Sequence, residues 1–287
     1  VSGYGVGPPE LAVIGWPLEK SYSPDMHNAA LAAAGIDWRY AAIPVAPGEL
    51  ATWLAAARNA MRGVNVTIPH KQAAVAFCTE VDALTAAAGA VNTLIFEADG
   101  RCRGHNTDGP GLLDALSVRT GMAPVGKHCA VLGAGGAARG CVAQLAMAGA
   151  ASIAIHNRTE SRAQAMCASL RAMFPAVNWA TGGYDQLESS LPSADLIVST
   201  VPAAARATVI PMLERSLPGA VLVDLAYGSG PTGLSRAAEA RGLRVVPGLE
   251  MLLWQGVRAF KLFTGIAAPA DSMRDALTKT VGEWWLC

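Results

Sequence analysis

The chain has 287 residues, 52% of them hydrophobic and 15% charged, with 22 basic side chains against 22 acidic ones. That length exceeds the ~100–200 residues of one ordinary domain, so two domains are expected, and the apolar, alanine-rich composition excludes a disordered or fibrous chain. A net charge of zero excludes a broad electrostatic footprint for nucleic acid or an anionic membrane, which leaves small molecules as the expected partners, with room for a local arginine cluster to bind one phosphate.

The six cysteines form no C-x-x-C pair and share no metal-like spacing with the five histidines, so reduced core thiols and no metal are expected. No basic segment precedes an apolar one, and no apolar run reaches the ~18 residues that span a bilayer, so a cytoplasmic protein is expected. Residues 1–9, rich in glycine and proline, read as a loose leader.

Leu11 to Gly15 is a short apolar strand, and Trp16-Pro17 turns the chain toward Ser21-Tyr-Ser-Pro24. Ser23 suits the N-cap of a helix from Asp25 to Ala34, with Pro24 at its first position and Gly35 after its end. Ser21 is then left without a structural role, and hydroxyls beside free amides at a helix N-terminus also suit a carboxylate or phosphate. Tyr40 to Val45 reads as the second strand and Gly48 to Ala60 as a helix.

Gly63 to Lys71 reads as a third strand running into a turn, because its alternating apolar residues stop at Pro69. It delivers Lys71, one of five lysines in the chain, just beyond Asn65 and Thr67. A lysine so placed can exchange a proton once burial or a neighbouring charge tunes it, while Asn65 and Thr67 hold a hydroxylated substrate; a strand-end lysine bonded to its own loop is the plain alternative. Gln72 to Ala88 reads as a helix ending at Gly89, followed by a strand from Ala90 to Phe96 that contains Asn92. Asp99-Gly100 makes a hairpin, and the return strand ends near Asp108, either an active carboxylate or the N-cap of a helix starting near Gly111.

A second unit opens at Lys127. His128 to Leu132 is a strand, Gly133-Ala-Gly-Gly-Ala-Ala138 a tight turn, Arg139 to Ala148 a helix, and Ala151 to His156 a further strand. This is the context in which a glycine-rich turn binds a dinucleotide: Gly133 permits the turn, Gly135 lets the backbone approach a pyrophosphate, and Ala138 packs against the sheet. No acid follows the second strand to hold a free ribose hydroxyl. Asn157-Arg158-Thr159 stands there, with Arg162 one helical turn on, which favours NADP over NAD. Further strands are expected at Asp195 to Thr200, Val221 to Asp224 and Leu243 to Val246, with a helix from Gly230 to Arg241 between the last two. A closing helix runs from Leu249 to Phe263, where Gln255 interrupts the apolar face and needs either a ligand or a backbone carbonyl.

Together, Ser21-Tyr-Ser-Pro with His27-Asn28, Asn65-Val-Thr-Ile-Pro-His-Lys71, Gly89-Ala-Val-Asn-Thr93, Asn106-Thr-Asp-Gly109, Gly133 to Ala138, Asn157-Arg-Thr159, and Gly248 with Met251 and Gln255 resemble the shikimate dehydrogenase family. The resemblance implies an α/β protein with a mixed-sheet substrate domain (9–109, completed by 253–287) and a doubly wound Rossmann-type NADP domain (110–252). It implies an oxidoreductase interconverting 3-dehydroshikimate and shikimate, monomeric or homodimeric, with Lys71 and Asp108 as the catalytic pair. Ser21 and Ser23 would hold the substrate carboxylate, and Asn65, Thr67, Asn92, Asp108, Tyr227 and Gln255 its hydroxyls or pocket. Gly133, Ala134, Gly135, Gly136, Ala137, Asn157, Arg158, Thr159, Arg162, Thr200, Leu225 and Gly248 would contact NADP. The sequence departs from the family pattern at Lys20, at His70 and in the run Tyr227-Gly-Ser-Gly-Pro-Thr. A quinate dehydrogenase is the neighbouring enzymatic reading, from which the serine pair and Arg158 point away. A noncatalytic NADPH-binding sensor would have no use for both Lys71 and Asp108.

Overall fold

The computed structural model describes residues 9–286, so all but the last residue of the stretch read as a leader, and Cys287, lie outside the described residues. The chain divides into two compact units, one running to Thr107 and including Gly256–Thr280, the other Asp108–Gln255 with the residues from Val281 on. The first junction stands between Thr107 and Asp108, where 109/110 was expected. At the C-terminal end, the residues from Val281 on go with the second unit instead of the first.

In the first unit, β1 (Leu11–Gly15), β2 (Tyr40–Pro44) and β3 (Gly63–Val66) are parallel, joined by helices α1 (Ser23–Ala33) and α2 (Leu50–Ala60). β1 is buried along its whole length and sits inside the sheet, whereas β2 buries only Tyr40 fully, alternates half-buried with exposed residues after it, and forms the edge. The stretch 72–88 is not one helix. A 3-10 turn at Ala73–Phe77 gives way to the short strand β4 (Glu80–Val81) and then to α3 (Ala83–Ala88). Two side chains divide it: Thr79 exchanges hydrogen bonds with the backbone of Cys102, and Asp82 caps a new helix at the Thr85 N–H. β5 (Thr93–Phe96) and β6 (Cys102–His105) form the antiparallel hairpin around Asp99-Gly100; β5 also pairs antiparallel with β3, β4 runs parallel to β6, and the mixed sheet has the order β2-β1-β3-β5-β6-β4. Asn92 stands one residue before β5 and not within a strand. Ile14, Leu54, Val64, Val66, Val91, Leu94 and Cys102 fill the core beneath.

The second unit begins with α4 (Asp108–Thr120), so that Asp108 is the first residue of a helix that starts three residues earlier than expected. There follow β7 (His128–Leu132), α5 (Gly136–Met147), β8 (Ser152–His156), α6 (Glu160–Arg171), β9 (Asn178–Gly182) and β10 (Leu196–Ser199). After these come α7 (Ala203–Val209), β11 (Val221–Asp224), α8 (Gly233–Glu239), β12 (Arg244–Pro247) and α9 (Gly248–Thr264), which carries the chain back into the first unit, where α10 (Ala270–Val281) lies. All six strands are parallel in the order β12-β11-β10-β7-β8-β9. Counted within the unit, the third strand lies next to the second, the second to the first, and the first to the fourth, fifth and sixth, which is the doubly wound dinucleotide-binding order; its switch point lies between β7 and β10. Among the described residues no helix is long and apolar enough to cross a membrane.

Candidate active site

In the first unit the strand ends are held together by backbone contacts that leave no room for larger side chains. A Cβ on Gly15 would lie 2.5 Å from Thr67 Cγ2 and 2.9 Å from the Ile68 carbonyl, so glycine lets the end of β1 meet the turn after β3. Thr67 N–H donates to the Ile14 carbonyl, Trp16 N–H to Ile68, and His70 N–H back to Thr67. His70, one of the departures from the family pattern that the sequence resembles, has a structural role, since its ring donates from Nε2 to the Val45 carbonyl at 2.7 Å. Lys71, next along, is only 8% exposed, and its carbonyl accepts the Val91 N–H, so its backbone is tied to the residue before Asn92.

Asn65 and Asn92 share one buried network. Both Asn65 Nδ2 hydrogens are committed, to the Asn92 carbonyl and to Thr93 Oγ1, each at 3.0 Å, and Asn65 Oδ1 accepts the Tyr40 hydroxyl at 2.7 Å. Asn92 Oδ1 accepts the Thr107 N–H at 2.8 Å and the Thr93 hydroxyl at 3.1 Å, while Asn92 Nδ2 donates to Thr107 Oγ1. Tyr40, Thr93 and Thr107 therefore belong to this network although residue type alone does not single them out. An aromatic beginning a strand and threonines beside one carry no chemical signature.

The two serines have exchanged roles. Helix α1 starts at Ser23 itself with Tyr22 as N-cap and no side-chain cap, and it is Ser21 Oγ that accepts the Ser23 N–H at 3.3 Å. Ser23 is buried yet does not cap, because the helix begins at Ser23 itself, one residue earlier than expected. Lys20, the other departure in this segment, lies over the Tyr22 ring, 5.0 Å from its centroid.

In the second unit Asp108 is buried at the N-terminus of α4, where the helix dipole favours a carboxylate. The two glycines that follow let this helix start pack closely. A Cβ on Gly109 would lie 2.6 Å from the Gly140 carbonyl of α5, and one on Gly111 2.7 Å from the Gln255 backbone nitrogen. Gln255 donates one amide hydrogen to the Leu252 carbonyl at 2.8 Å, so a backbone carbonyl meets part of its need. Tyr227 is 41% exposed on the loop after β11; that loop is pinned by the fully buried Asp224, which accepts the Thr232 hydroxyl at 2.5 Å and the Ala226 N–H at 3.3 Å.

Of the residues expected to contact a dinucleotide, those from Gly133 to Ala137, Thr200 and Leu225 follow the C-terminal ends of β7, β10 and β11. Gly133 has φ +110°, and a Cβ there would run into Thr200 Oγ1, so the position excludes any side chain for two independent reasons. Thr200 donates both its N–H and its hydroxyl to the Leu132 carbonyl, closing the switch point. A Cβ on Gly248 would meet the Ala226 carbonyl at 2.5 Å and Leu225 C at 2.8 Å, which brings Gly248 and Leu225 together. Helix α5 begins at Gly136, not at Arg139, so Gly136 and Ala137 supply first-turn N–H groups without intrahelical acceptors. Ala134 bridges the two glycines of the turn, and Ala138 is fully buried against the sheet.

Beyond β8, Asn157 Nδ2 donates to the Thr159 carbonyl, which also accepts the Arg162 N–H. Arg158, Thr159 and Arg162 are all exposed, and neither guanidinium forms an ion pair among the described residues. Two arginines at the start of α6 face the positive end of its dipole, a placement suited to a bound anion. The glycine cradle, the open first-turn amides and this arginine pair fit a dinucleotide that carries an additional phosphate. Among the described residues no group of three or more His, Cys, Asp or Glu side chains could hold a metal ion.

Comparison with known proteins agrees with this geometry. Residues 13–94 match the shikimate dehydrogenase substrate-binding domain, 120–228 the shikimate/quinate 5-dehydrogenase domain, and 248–278 the shikimate 5′-dehydrogenase C-terminal domain. The NADP(+) shikimate dehydrogenase of Methanothermobacter thermautotrophicus is 41% identical over 278 residues, covering 94% of this chain and 96% of its own length. A crystal structure of a shikimate dehydrogenase with NADP+ is similar with a TM-score of 0.84 at 33% identity, covering 94% of this chain and 95% of that one. The enzyme of Thermus thermophilus with NADP(H) and shikimate has a TM-score of 0.79 at 34% identity, covering 94% of this chain and 98% of its own.

Proposed function

The chain belongs to the shikimate dehydrogenase family, and we propose that it catalyses the reversible, NADPH-dependent reduction of 3-dehydroshikimate to shikimate in the cytoplasm. The observation that carries this reading is the buried Lys71 tied by its backbone beside the Asn65–Asn92 network, an amine held out of water next to polar side chains. Gly133 to Ala137 would hold NADPH, with Arg158 and Arg162 toward its 2′-phosphate, and the bound cofactor would supply the hydride.

The protein's own part is proton placement and orientation. In the reducing direction Lys71 Nζ donates a proton to the oxygen that gains negative charge, and in the oxidising direction it takes that proton back. Asp108 is the carboxylate the motif assigns to Lys71. Ser21 and Ser23, at the start of α1, hold the substrate carboxylate, where the helix N-terminus favours an anion. Asn65, Thr67, Asn92, Tyr227 and Gln255 fix the hydroxyls, so that one face of the ring meets the hydride.

The experiment is a panel assay of shikimate and quinate with NADP+ and NAD+, run on the wild type and on Lys71→Ala. Turnover of shikimate with NADP+ is expected, with kcat lowered about 10²- to 10⁴-fold in the variant while NADPH binding stays intact. Near-wild-type kcat in Lys71→Ala removes the role given to the lysine; a preference for quinate with NAD+ overturns the substrate and cofactor together.

A further inference from the structure

His27 and Asn28 belong to the motif at the head of α1, yet no chemistry has been given to either. His27 is completely buried, and neither ring nitrogen has a hydrogen-bond partner. An orphaned imidazole in a core needs a reason, since each buried polar atom without a partner costs stability. The reason lies in its neighbour. The imidazole stacks on the Tyr40 ring with centroids 4.3 Å apart and planes 2° from parallel, and Phe260 and Phe263 flank it. Asn28 holds the same tyrosine by its backbone: Oδ1 accepts the Tyr40 N–H at 2.8 Å, and Nδ2 donates to the Tyr40 carbonyl at 2.9 Å. The two adjacent residues thus grip one tyrosine, one by its ring and the other by its peptide groups.

Tyr40 begins β2, and β1 separates that strand from β3, so the phenol reaches across a whole strand to Asn65. Its hydroxyl meets Asn65 Oδ1 at 2.7 Å. Because both Asn65 amide hydrogens are already spent on Asn92 and Thr93, this contact fixes which end of the amide faces which way. The order then propagates. Thr93, receiving from Asn65, points its own hydrogen at Asn92 Oδ1, which leaves Asn92 Nδ2 to donate to Thr107.

We propose that Tyr40, gripped by His27 and Asn28, is a positioning residue that sets the Asn65 amide, and through Thr93 the Asn92 amide, so that Asn65 can act on a ligand only as an acceptor for its hydroxyl. This rests on the function proposed above. A substrate presenting a hydroxyl donor to Asn65 Oδ1 is accepted there, and one presenting only a carbonyl or ether oxygen is not, because two acceptors would face each other.

The test is Tyr40→Phe, which keeps the ring and its stack and removes only the donor. The expected result is a KM for shikimate raised about tenfold, the factor for loss of one well-made hydrogen bond, with kcat changed less than about threefold and the KM for NADP+ unmoved. An unchanged shikimate KM overturns the inference, as does a loss spread equally over both substrates, which would mark a purely structural role. Should the wild type fail to turn over shikimate, the function reading falls by itself. Positioning is then judged by NMR of the Asn65 side-chain amide: a displaced resonance in Tyr40→Phe upholds it, and an unmoved one overturns it.

Discussion

The burial of His27 makes a quantitative statement about acid stability. With no exposed surface, no hydrogen bond and aromatic rings around it, its imidazole is pushed down to about 3 from an ordinary 6.5, because burial penalises the charged form. Above pH 6.5 folded and unfolded chains both carry it neutral, and it contributes no pH dependence. Below that value the unfolded chain takes up a proton that the folded one refuses, so stability is lost as pH falls, down to the folded value near 3. The slope for one proton is about 1.4 kcal/mol per pH unit, which between pH 6.5 and 5 amounts to about 2 kcal/mol, a sizeable share of the ~5–15 kcal/mol that holds a typical domain folded. Other groups titrate in the same direction. His156 is lowered by burial, and Asp82, despite burial that would raise it, is held below its usual range by bonds from His105 and Thr85. They cancel when wild type is compared with His27→Leu, a substitution of similar bulk that cannot be protonated. Urea unfolding followed by tryptophan fluorescence at pH 6.5 and 5 should show the wild type losing about 2 kcal/mol more than the variant over that interval. Equal losses would refute the argument, since they would mean His27 is protonated in the folded protein or is not buried in it.

Two further predictions concern the cofactor. Arg158→Ala should lower kcat/KM with NADP+ by about 10-fold or more and leave that with NAD+ nearly unchanged, since a charge-assisted contact to the 2′-phosphate is worth about 1.5–3 kcal/mol; an unaltered preference would remove the arginine from the site. Gly133→Ala forces a side chain into φ +110° and against Thr200 Oγ1, so titration of NADPH fluorescence should show binding weakened by at least about tenfold together with a lowered Tm. Retained affinity would mean that the turn opens without consequence for the pyrophosphate.

What the sequence discloses and what it hides divide along physical lines. Continuous apolar runs such as Leu11 to Gly15 and the strand before Gly133 are legible because burial on both faces demands them, and the glycine turn is legible because only glycine can stand at Gly133. The segment 72–88 misleads because its alanines favour a helix locally, while Thr79 and Asp82 each offer the backbone a competing hydrogen bond that tertiary partners complete. β9 is not legible at all: as an edge strand it buries only its final residue fully, and Asn-Trp-Ala-Thr-Gly shows no apolar alternation. The serine pair shows a finer error. Ser-Pro predicts a cap at Ser23, but a helix that begins one residue sooner turns Ser23 into its first residue and leaves Ser21 to accept the amide.

The polar residues of the motifs separate in the same way, and the separation bears on chemistry. Asn28 spends its amide on Tyr40, Asn106 donates to the Ala90 carbonyl, and Asn65 gives both its hydrogens to the protein. Each has the residue type of a substrate ligand, yet the first serves the backbone of β2, and the last keeps only an acceptor lone pair for anything that binds. Under the proposed function, a hydroxyl-rich substrate meets an Asn65 whose polarity is decided before it arrives: Asn65 receives, and Tyr40, which need touch no ligand, determines that it cannot do otherwise. Orientation of this kind is set by hydrogen-bond accounting across three strands, which is why Tyr40 carries no signal in the sequence and a definite one in the fold.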